Sequence, residues 1–160
     1  MMKLYFENIT EPKWTGELQE VLEEVEEGIF EFKSVINGRK LKGEWWRLFN
    51  QEDETIGYGW VDISEGDFEI SLVVKREFRG NYKIRAGKFI LSKLEAVAKE
   101  KSLQSTCVVI KSTNPNKYSL VKWFYKQGYG EEKGVLEDLL RYARDFPSGV
   151  DITLHKMITM

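Results

Sequence analysis

Residues 69–88 read EISLVVKREFRGNYKIRAGK, a run of β-favouring residues that passes through a basic, glycine-containing loop into a helix start. A junction of this kind presents unbonded backbone amides and the positive end of a helix dipole, which together bind phosphate oxygens. Arg79, Lys83, Arg85 and Lys88 add side-chain charge at the same place. The spacing is not that of a nucleotide-hydrolysing P-loop, since no Gly-Lys-Ser/Thr follows a glycine four residues earlier. Reactive side chains are scarce elsewhere. One cysteine, Cys107, and one histidine, His155, cannot supply a zinc site of the usual ligand count or an internal disulfide, so no metal is expected. Cys107 sits in an apolar run and reads as core. His155, with no acid or nucleophile beside it in sequence, reads as a surface residue.

The elements that must position this junction follow from periodicity. Residues 3–9 alternate weakly and are rich in aromatics, which predicts a strand before the turn at Pro12. Leu18, Val21, Leu22, Val25, Ile29 and Phe32 recur at helical spacing behind Thr15, a suitable N-cap. The other face of that helix is glutamate: Glu17, Glu20, Glu23, Glu24, Glu27 and Glu31. Strands are expected over 43–50, 55–63 and 67–75, the last two joined by a Ser64-Glu65-Gly66 turn into an antiparallel meander. Gly57 and Gly59 lie within the second of these and predict close packing of the backbone. After Lys75 the period changes. Ala86, Phe89, Ile90, Leu94, Val97 and Ala98 form a helical stripe, and 106–111 is a short apolar run of buried-strand type. A crossover helix between them makes a βαβ unit with parallel strands. Asn114, Pro115 and Asn116 signal a turn, Leu120 to Tyr125 suit a helix stopped by Gly128, a further helix is expected over 136–146, and Val150, Ile152 and Leu154 alternate as a last strand.

Length and composition are consistent with this. The chain has 160 residues, 42% hydrophobic and 31% charged with three prolines, which suits one folded domain and excludes a disordered or low-complexity scaffold. No 18-residue apolar run occurs, and Glu7 interrupts the N-terminus before a signal-peptide core could form; a cytoplasmic, non-membrane protein is the expectation. The net charge of −2 conceals a division along the chain. Residues 75–101 carry nine Lys/Arg against three Asp/Glu, whereas residues 1–70 carry seven against seventeen. A polyanion could dock on the first segment and a cation be drawn to the second. A solvated face would show the same division. Trp45, Trp46 and Trp60 read as core or as the rim of a cleft, because stacking on nucleic acid is disfavoured in so acidic a half.

Several motifs, in order, carry a family resemblance. Val74 to Gly80 (VKREFRG) is similar to a strand end of the Val-x-Pro-Glu-Tyr-Arg-Gly type that precedes a phosphate loop, and Trp123 to Tyr129 (WFYKQGY) is similar to a Tyr-x-Lys-x-Gly-Phe helix end, with Asn114 and Asn116 in the place of a preceding asparagine. Residues 151–156 resemble a closing strand. From about Gly57 onward the chain resembles the GCN5-related N-acetyltransferases (GNAT). The resemblance implies an α+β fold in a single domain, with a mixed central sheet of six to seven strands flanked by helices on both faces. Its three parts would be an acceptor-side segment 1–66, a cofactor-binding strand-loop-helix-strand 67–111 and C-terminal helices with the last strand 112–160.

The resemblance also implies acetyl transfer from acetyl-coenzyme A to a primary amine by direct attack in a ternary complex. The pyrophosphate would rest on Arg79, Gly80, Lys83, Ile84, Arg85, Ala86, Gly87 and Lys88. The pantetheine would pair with Leu72, Val73 and Val74, and Asn114, Asn116, Tyr125 and Lys126 would close over the cofactor. Glu69 is placed to deprotonate the amine through water, with Asp67 and Glu65 near enough to substitute. The Val74 amide would receive the oxyanion. The general acid falls to Tyr125, because Phe124 holds the position where the family has tyrosine, and Tyr118 is a second candidate. Two departures stand out: about three extra residues around Asn81, Tyr82 and Lys83, and Arg85 where glycine is usual. The acceptor side, 15–42, is acidic and suits a polyamine, an aminoglycoside-like amine or a basic peptide end. Two other readings are an acyl-coenzyme A sensor of the same fold without turnover, and a nucleic-acid binder using 75–101, the weaker for want of an aromatic-basic motif. Pairing of two copies through the last strands or the 136–146 helix is left open.

Overall fold

The β-branched and aromatic runs pair into one six-stranded sheet whose spatial order follows the chain. The strands are β1 (Leu4–Ile9), β2 (Glu44–Asn50), β3 (Thr55–Ser64), β4 (Asp67–Val74), β5 (Ser105–Ile110) and β6 (Ile152–Met157). All neighbours are antiparallel except β4 and β5, which are parallel, with the helix α2 (Ala86–Glu100) as their crossover. Two further helices are α1 (Gly16–Glu23) and α3 (Lys117–Lys126). The computed structural model describes residues 2–23, 38–64, 67–80, 85–111, 114, 116–130 and 151–158. The expected helix over 136–146, the tip of the 64–66 turn, the loop residues 81–84 and the glutamate-rich continuation of the first helix past Glu23 lie outside them. No helix of the described residues is long and apolar enough to cross a membrane.

Strand alternation sorts the core into two layers. On one face α1 lays Leu18, Val21 and Leu22 with Trp14 against Trp45, Tyr58 and Val73. Thr15 starts that helix as expected, its Oγ1 accepting the Leu18 N–H at 3.1 Å. On the other face α2 and α3 bury Ala86, Ile90, Leu91, Leu94, Val121 and Phe124 against Leu48, Val61, Ile70, Val108 and Leu154. Helices therefore cover both faces. Trp45 and Trp46 are both buried, one in each layer, and Trp45 stacks on Trp60 with centroids 4.2 Å apart.

The two strand glycines of β3 serve close packing, and Gly59 bears directly on where α2 can sit. A Cβ at Gly59 would lie 2.5 Å from Ile90 Cγ2 and 2.9 Å from Leu94 Cδ1. Gly57 is tighter still, its Cβ meeting the Val73 carbonyl oxygen at 2.3 Å. Gly59→Ala is expected to lower unfolding free energy by about 1–3 kcal/mol through overpacking. Gly57→Ala should cost more, because the obstructing atom is backbone. Urea unfolding of both variants checks the order, and a neutral Gly59→Ala would show that α2 is not seated against β3.

Candidate functional site

The pairing of β4 and β5 sets the site. Among the described residues, their parallel ladder holds the one pair Glu69/Cys107. Past it the strands part, and a cleft of about 820 Å³ opens between them. Ile70 to Val74 form one wall and Val108 to Lys111 the other. The first turn of α2 (Arg85 to Lys88) and Phe78, Arg79 and Gly80 surround its mouth, and Asn114, Asn116, Ser119, Leu120, Trp123, Phe124 and Gln127 close the α3 side.

Hydrogen-bond alternation decides which backbone groups face the gap. The Lys75 N–H donates to the Ile56 carbonyl at 2.8 Å, and β3 and β4 continue in register from Gly57/Val74 down to Ser64/Asp67. In an antiparallel ladder every second residue turns its N–H and C=O to the partner, so Val73 serves β3 while Leu72 and Val74 turn theirs toward β5. The side chains of one such strand supply the walls and its backbone supplies donors and acceptors, an arrangement suited to a ligand that adds itself as a strand. The Val74 carbonyl is already engaged: it accepts a hydrogen bond from Arg79 Nε at 2.7 Å. Arg79 is thus anchored to the end of β4 while it lines the cleft.

The mouth is cationic and built on a strained junction. After a single 3₁₀ turn (Arg76–Phe78) and Gly80 at φ 71°, the chain enters α2 through Arg85, whose φ of 49° and ψ of 48° are left-handed. Glycine is the residue that takes this conformation at little cost. Arg85 occupies it and brings a positive charge to the helix N-terminus, beside the exposed Lys88 one turn on. The expectation that a side chain stands where the family has glycine therefore meets a backbone that still has the glycine conformation.

On the opposite face Glu69 sits half-buried next to the closed end of the gap. Its register partners are Asp62 on β3 and Cys107 on β5. Burial raises the Glu69 carboxyl above the ordinary range; the Asp62 charge raises it further, Lys111 opposes, and Asp67 adds a smaller rise. Cys107 is buried and its thiol is pushed up to about 11 by burial, then by Asp67 and Glu69, which leaves it a neutral packing group as expected. His155 is the register partner of Cys107 and is exposed, as expected of a surface residue.

Of the residues singled out from sequence, the cleft brings together Leu72, Val73, Val74, Arg79, Gly80, Arg85, Ala86, Gly87, Lys88, Asn114 and Asn116. Asn114 is buried, and its Oδ1 accepts the Asn116 N–H at 2.8 Å, which shapes the turn into α3. Lys83 and Ile84 lie outside the described residues. Tyr125 and Lys126 do not line the cleft, whereas Phe124 does, because consecutive helical residues diverge by about 100°. Tyr118 is exposed at the start of α3. Sequence reasoning did not find Ser119, Leu120, Trp123 and Gln127. The signal was available: they recur at helical spacing from Asn116, on the face that continues from Asn114.

Arg85→Gly keeps the left-handed junction and removes its charge, so its unfolding free energy should stay within about 0.5 kcal/mol of the parent, whereas β-branched Arg85→Val should lose about 1–2 kcal/mol. Equal stability of the two variants in urea titrations would show that position 85 is not held left-handed.

Comparison with known proteins agrees at the level of architecture. No family model and no curated protein matches the chain. Among solved structures, a candidate N-acetyltransferase from Lactobacillus plantarum is 15% identical, with 99% of each chain covered and a TM-score of 0.61. N-acetylglutamate synthase from Neisseria gonorrhoeae, complexed with coenzyme A and N-acetyl-glutamate, is 15% identical over 98% of this chain and 36% of its own, with a TM-score of 0.59. An acetyltransferase of the GNAT family from Staphylococcus aureus is 19% identical over 74% and 69% of the two chains, with a TM-score of 0.50. At such identities the likeness is one of fold, and the fold of this chain is that of the GCN5-related N-acetyltransferases.

Proposed function

We propose that the chain is an N-acyltransferase that uses acetyl-coenzyme A as cosubstrate and acetylates a primary amine, by direct attack in a ternary complex. The observation that carries this reading is the gap beyond Glu69/Cys107, where strand backbone faces a cleft that ends at the cationic start of a helix. That geometry suits a molecule with an anionic head and an extended amide-bearing arm. The pyrophosphate would lie on the amides of Ala86, Gly87 and Lys88, with the Arg85 and Lys88 charges beside it. The two amide groups of the pantetheine would exchange hydrogen bonds with Leu72 and with the Val74 N–H, and Asn114 and Asn116 would border the arm from the α3 side. The solved structure of the Neisseria synthase contains coenzyme A, which supports the same ligand class here.

In the reaction the amine nitrogen bonds to the thioester carbon and the carbon–sulfur bond breaks. Glu69, through water, accepts the proton that the ammonium must lose, and its raised pKa makes it a stronger base than an ordinary carboxylate. The Leu72 N–H, nearer Glu69 along β4 than the Val74 N–H expected from sequence, donates to the oxyanion of the tetrahedral intermediate, and the Leu72 carbonyl and the Val74 N–H are left to the pantetheine. The sulfur leaves as a thiolate that takes its proton from water, since α3 presents Phe124 and not Tyr125 to the cleft. The acceptor approaches on the face that holds Asp62, Asp67 and Glu69, a local field that favours a cationic amine.

Calorimetric titration with acetyl-coenzyme A should show binding that Lys88→Ala with Arg85→Gly weakens by about tenfold, the magnitude appropriate to two exposed cations. No binding to the parent chain would overturn the assignment.

Thiol release with a cationic amine should fall roughly a hundredfold or more in Glu69→Gln. The rate must also decline as pH drops through the Glu69 pKa, since the base works only when ionised. Asp62→Asn removes a like charge, lowers that pKa and moves the acid limb to lower pH. An acid limb unmoved by Asp62→Asn would exclude Glu69 as the titrating base.

A further inference from the structure

The two outer edges of the sheet are finished differently. On β6 the edge is bridged, since Gly130 and His155 exchange N–H to C=O hydrogen bonds, both at 2.9 Å. Outside β1 there is no strand or bridge among the described residues. Hydrogen-bond alternation fixes which groups that open edge presents. The Lys75 N–H donates to Ile56, so Gly57, Gly59 and Val61 of β3 turn to β2, where they meet Leu48, Trp46 and Glu44. Arg47 and Trp45 therefore serve β1 through Glu7 and Ile9. The Lys3 N–H has the same parity, donating to Gln51 Oε1 at 3.0 Å just beyond β2. Leu4, Phe6 and Asn8 are left with their N–H and C=O groups turned outward.

An open strand edge recruits another strand unless a proline, a bulge or an inward charge blocks it. β1 has no proline, and its register with β2 runs unbroken from Leu4/Asn50 to Ile9/Trp45. Its apolar side chains are also uncovered. Met2 and Tyr5 are two of the five large hydrophobic residues exposed among the described residues, Tyr5 at 44%. On the other face Leu4 and Phe6 are half-buried at the margin of the α2 layer. The charges beside them, Lys3 and Glu7, share the Tyr5 face and have no ion partner among the described residues.

Charge decides what this edge can accept. When a strand pairs antiparallel with its own copy, outward groups must oppose outward groups, so the dyad passes through a residue and not between two. A dyad at Tyr5 sets Lys3 opposite Glu7 of the second copy and Leu4 opposite its Phe6, each twice. A dyad at Glu7 would bring two carboxylates together, and one at Lys3 two ammonium groups. Dyads at Leu4 or Phe6 leave both charges opposite uncharged side chains.

We propose that β1 pairs antiparallel with β1 of a second copy of this chain about a dyad at Tyr5, joining two six-stranded sheets into one. Leu4 and Phe6 extend the α2 layer across the dyad, and Lys3 and Glu7 close the opposite face. Each copy uses its open edge on the other, so the assembly stops at two. The cleft between β4 and β5 lies three strands from β1, and both clefts of the dimer stay open.

Sedimentation equilibrium of the full chain should show a monomer–dimer equilibrium. Lys3→Glu and Glu7→Lys each set like charges opposite one another twice per dimer, and each should raise the dimer dissociation constant about tenfold or more. The double variant restores both pairs with reversed sign and should return the constant to within about threefold of the parent. Both side chains are exposed, and the rescue separates an interface effect from a folding defect. Oxidative cross-linking reads the register. The dyad brings residue 5 within about 4.5 Å of its own copy between Cα atoms, a distance that a disulfide spans. Residue 7 stands four residues out of register with its copy, about 13 Å away. Tyr5→Cys should therefore cross-link under mild oxidant and Glu7→Cys should not, the buried Cys107 taking no part. A monomer at every concentration, a dimer indifferent to either charge reversal, a double variant without rescue, or equal cross-linking at positions 5 and 7 would each overturn the proposal.

Discussion

A parallel pair of strands that shares one register pair and then separates is the constraint on which the rest of the molecule depends. Sheet backbone is stable because its donors and acceptors are paired. Separating β4 from β5 withdraws that pairing along the middle of a sheet, where water and a neighbouring strand would ordinarily compete for it. The strands must therefore be held apart from both sides. On the β4 side the full antiparallel register with β3 does this, from Ser64/Asp67 to Gly57/Val74. Arg79 finishes the strand by donating to the Val74 carbonyl, which would otherwise face the gap.

On the β5 side the restraint is a buried polar group. The Tyr129 hydroxyl donates to Glu95 of α2 at 2.8 Å and lies within hydrogen-bond distance of Thr106 on β5, while Lys156 of β6 pairs with Glu95 at 3.1 Å. Burial drives the Tyr129 phenol well above its usual range, so it remains a neutral donor at any ordinary pH. A buried network of this type is favourable only when each member finds its partner, and removal of one leaves the others desolvated. It joins α2, β5, β6 and the segment after α3, the four pieces that could otherwise drift into the gap. Gly59 supplies the matching condition on β3, where the missing Cβ lets Ile90 and Leu94 bring α2 down onto the sheet.

Much of this was legible in the sequence, and the exceptions share a cause. Strand and helix positions follow from local periodicity, so the meander, the crossover helix and the parallel sense of 106–111 could all be read from residues close in sequence. The cationic mouth was legible for the same reason, as one continuous segment. Cross-strand relations were not. Nothing in sequence brings Asp62, Glu69, Cys107 and His155 into one transverse row, because that row depends on three registers. The direction of α3 was the other difficulty. The pattern around Gly128 suggested a tyrosine in the cleft, but a helix is read by face, and the face that continues from Asn116 carries Leu120, Trp123, Phe124 and Gln127. The engagement of Arg79 with a carbonyl five residues earlier is equally invisible in a basic loop read as charge alone.

The two faces of the gap carry opposite charge, and this separation has a mechanistic consequence for a two-substrate transfer. Arg85 and Lys88 stand at the outer end of the cleft, by the first turn of α2, whereas Asp62, Asp67 and Glu69 stand on the far face at the closed end. An anionic cofactor and a cationic acceptor would thus enter from different directions and meet only where the strands part. Lys111 modulates this division. It lines the cleft and lowers the Glu69 pKa against the effect of burial and of Asp62, while Asp151 holds its ammonium at 3.6 Å. The Glu69 pKa is therefore set first by burial and then by the balance between a lysine on β5's exit and two carboxylates on the meander. Because charges of this kind act over several ångströms through a half-buried site, the balance is set by the same strand registers that open the gap. The registers that open the gap are the ones that set the charge around Glu69.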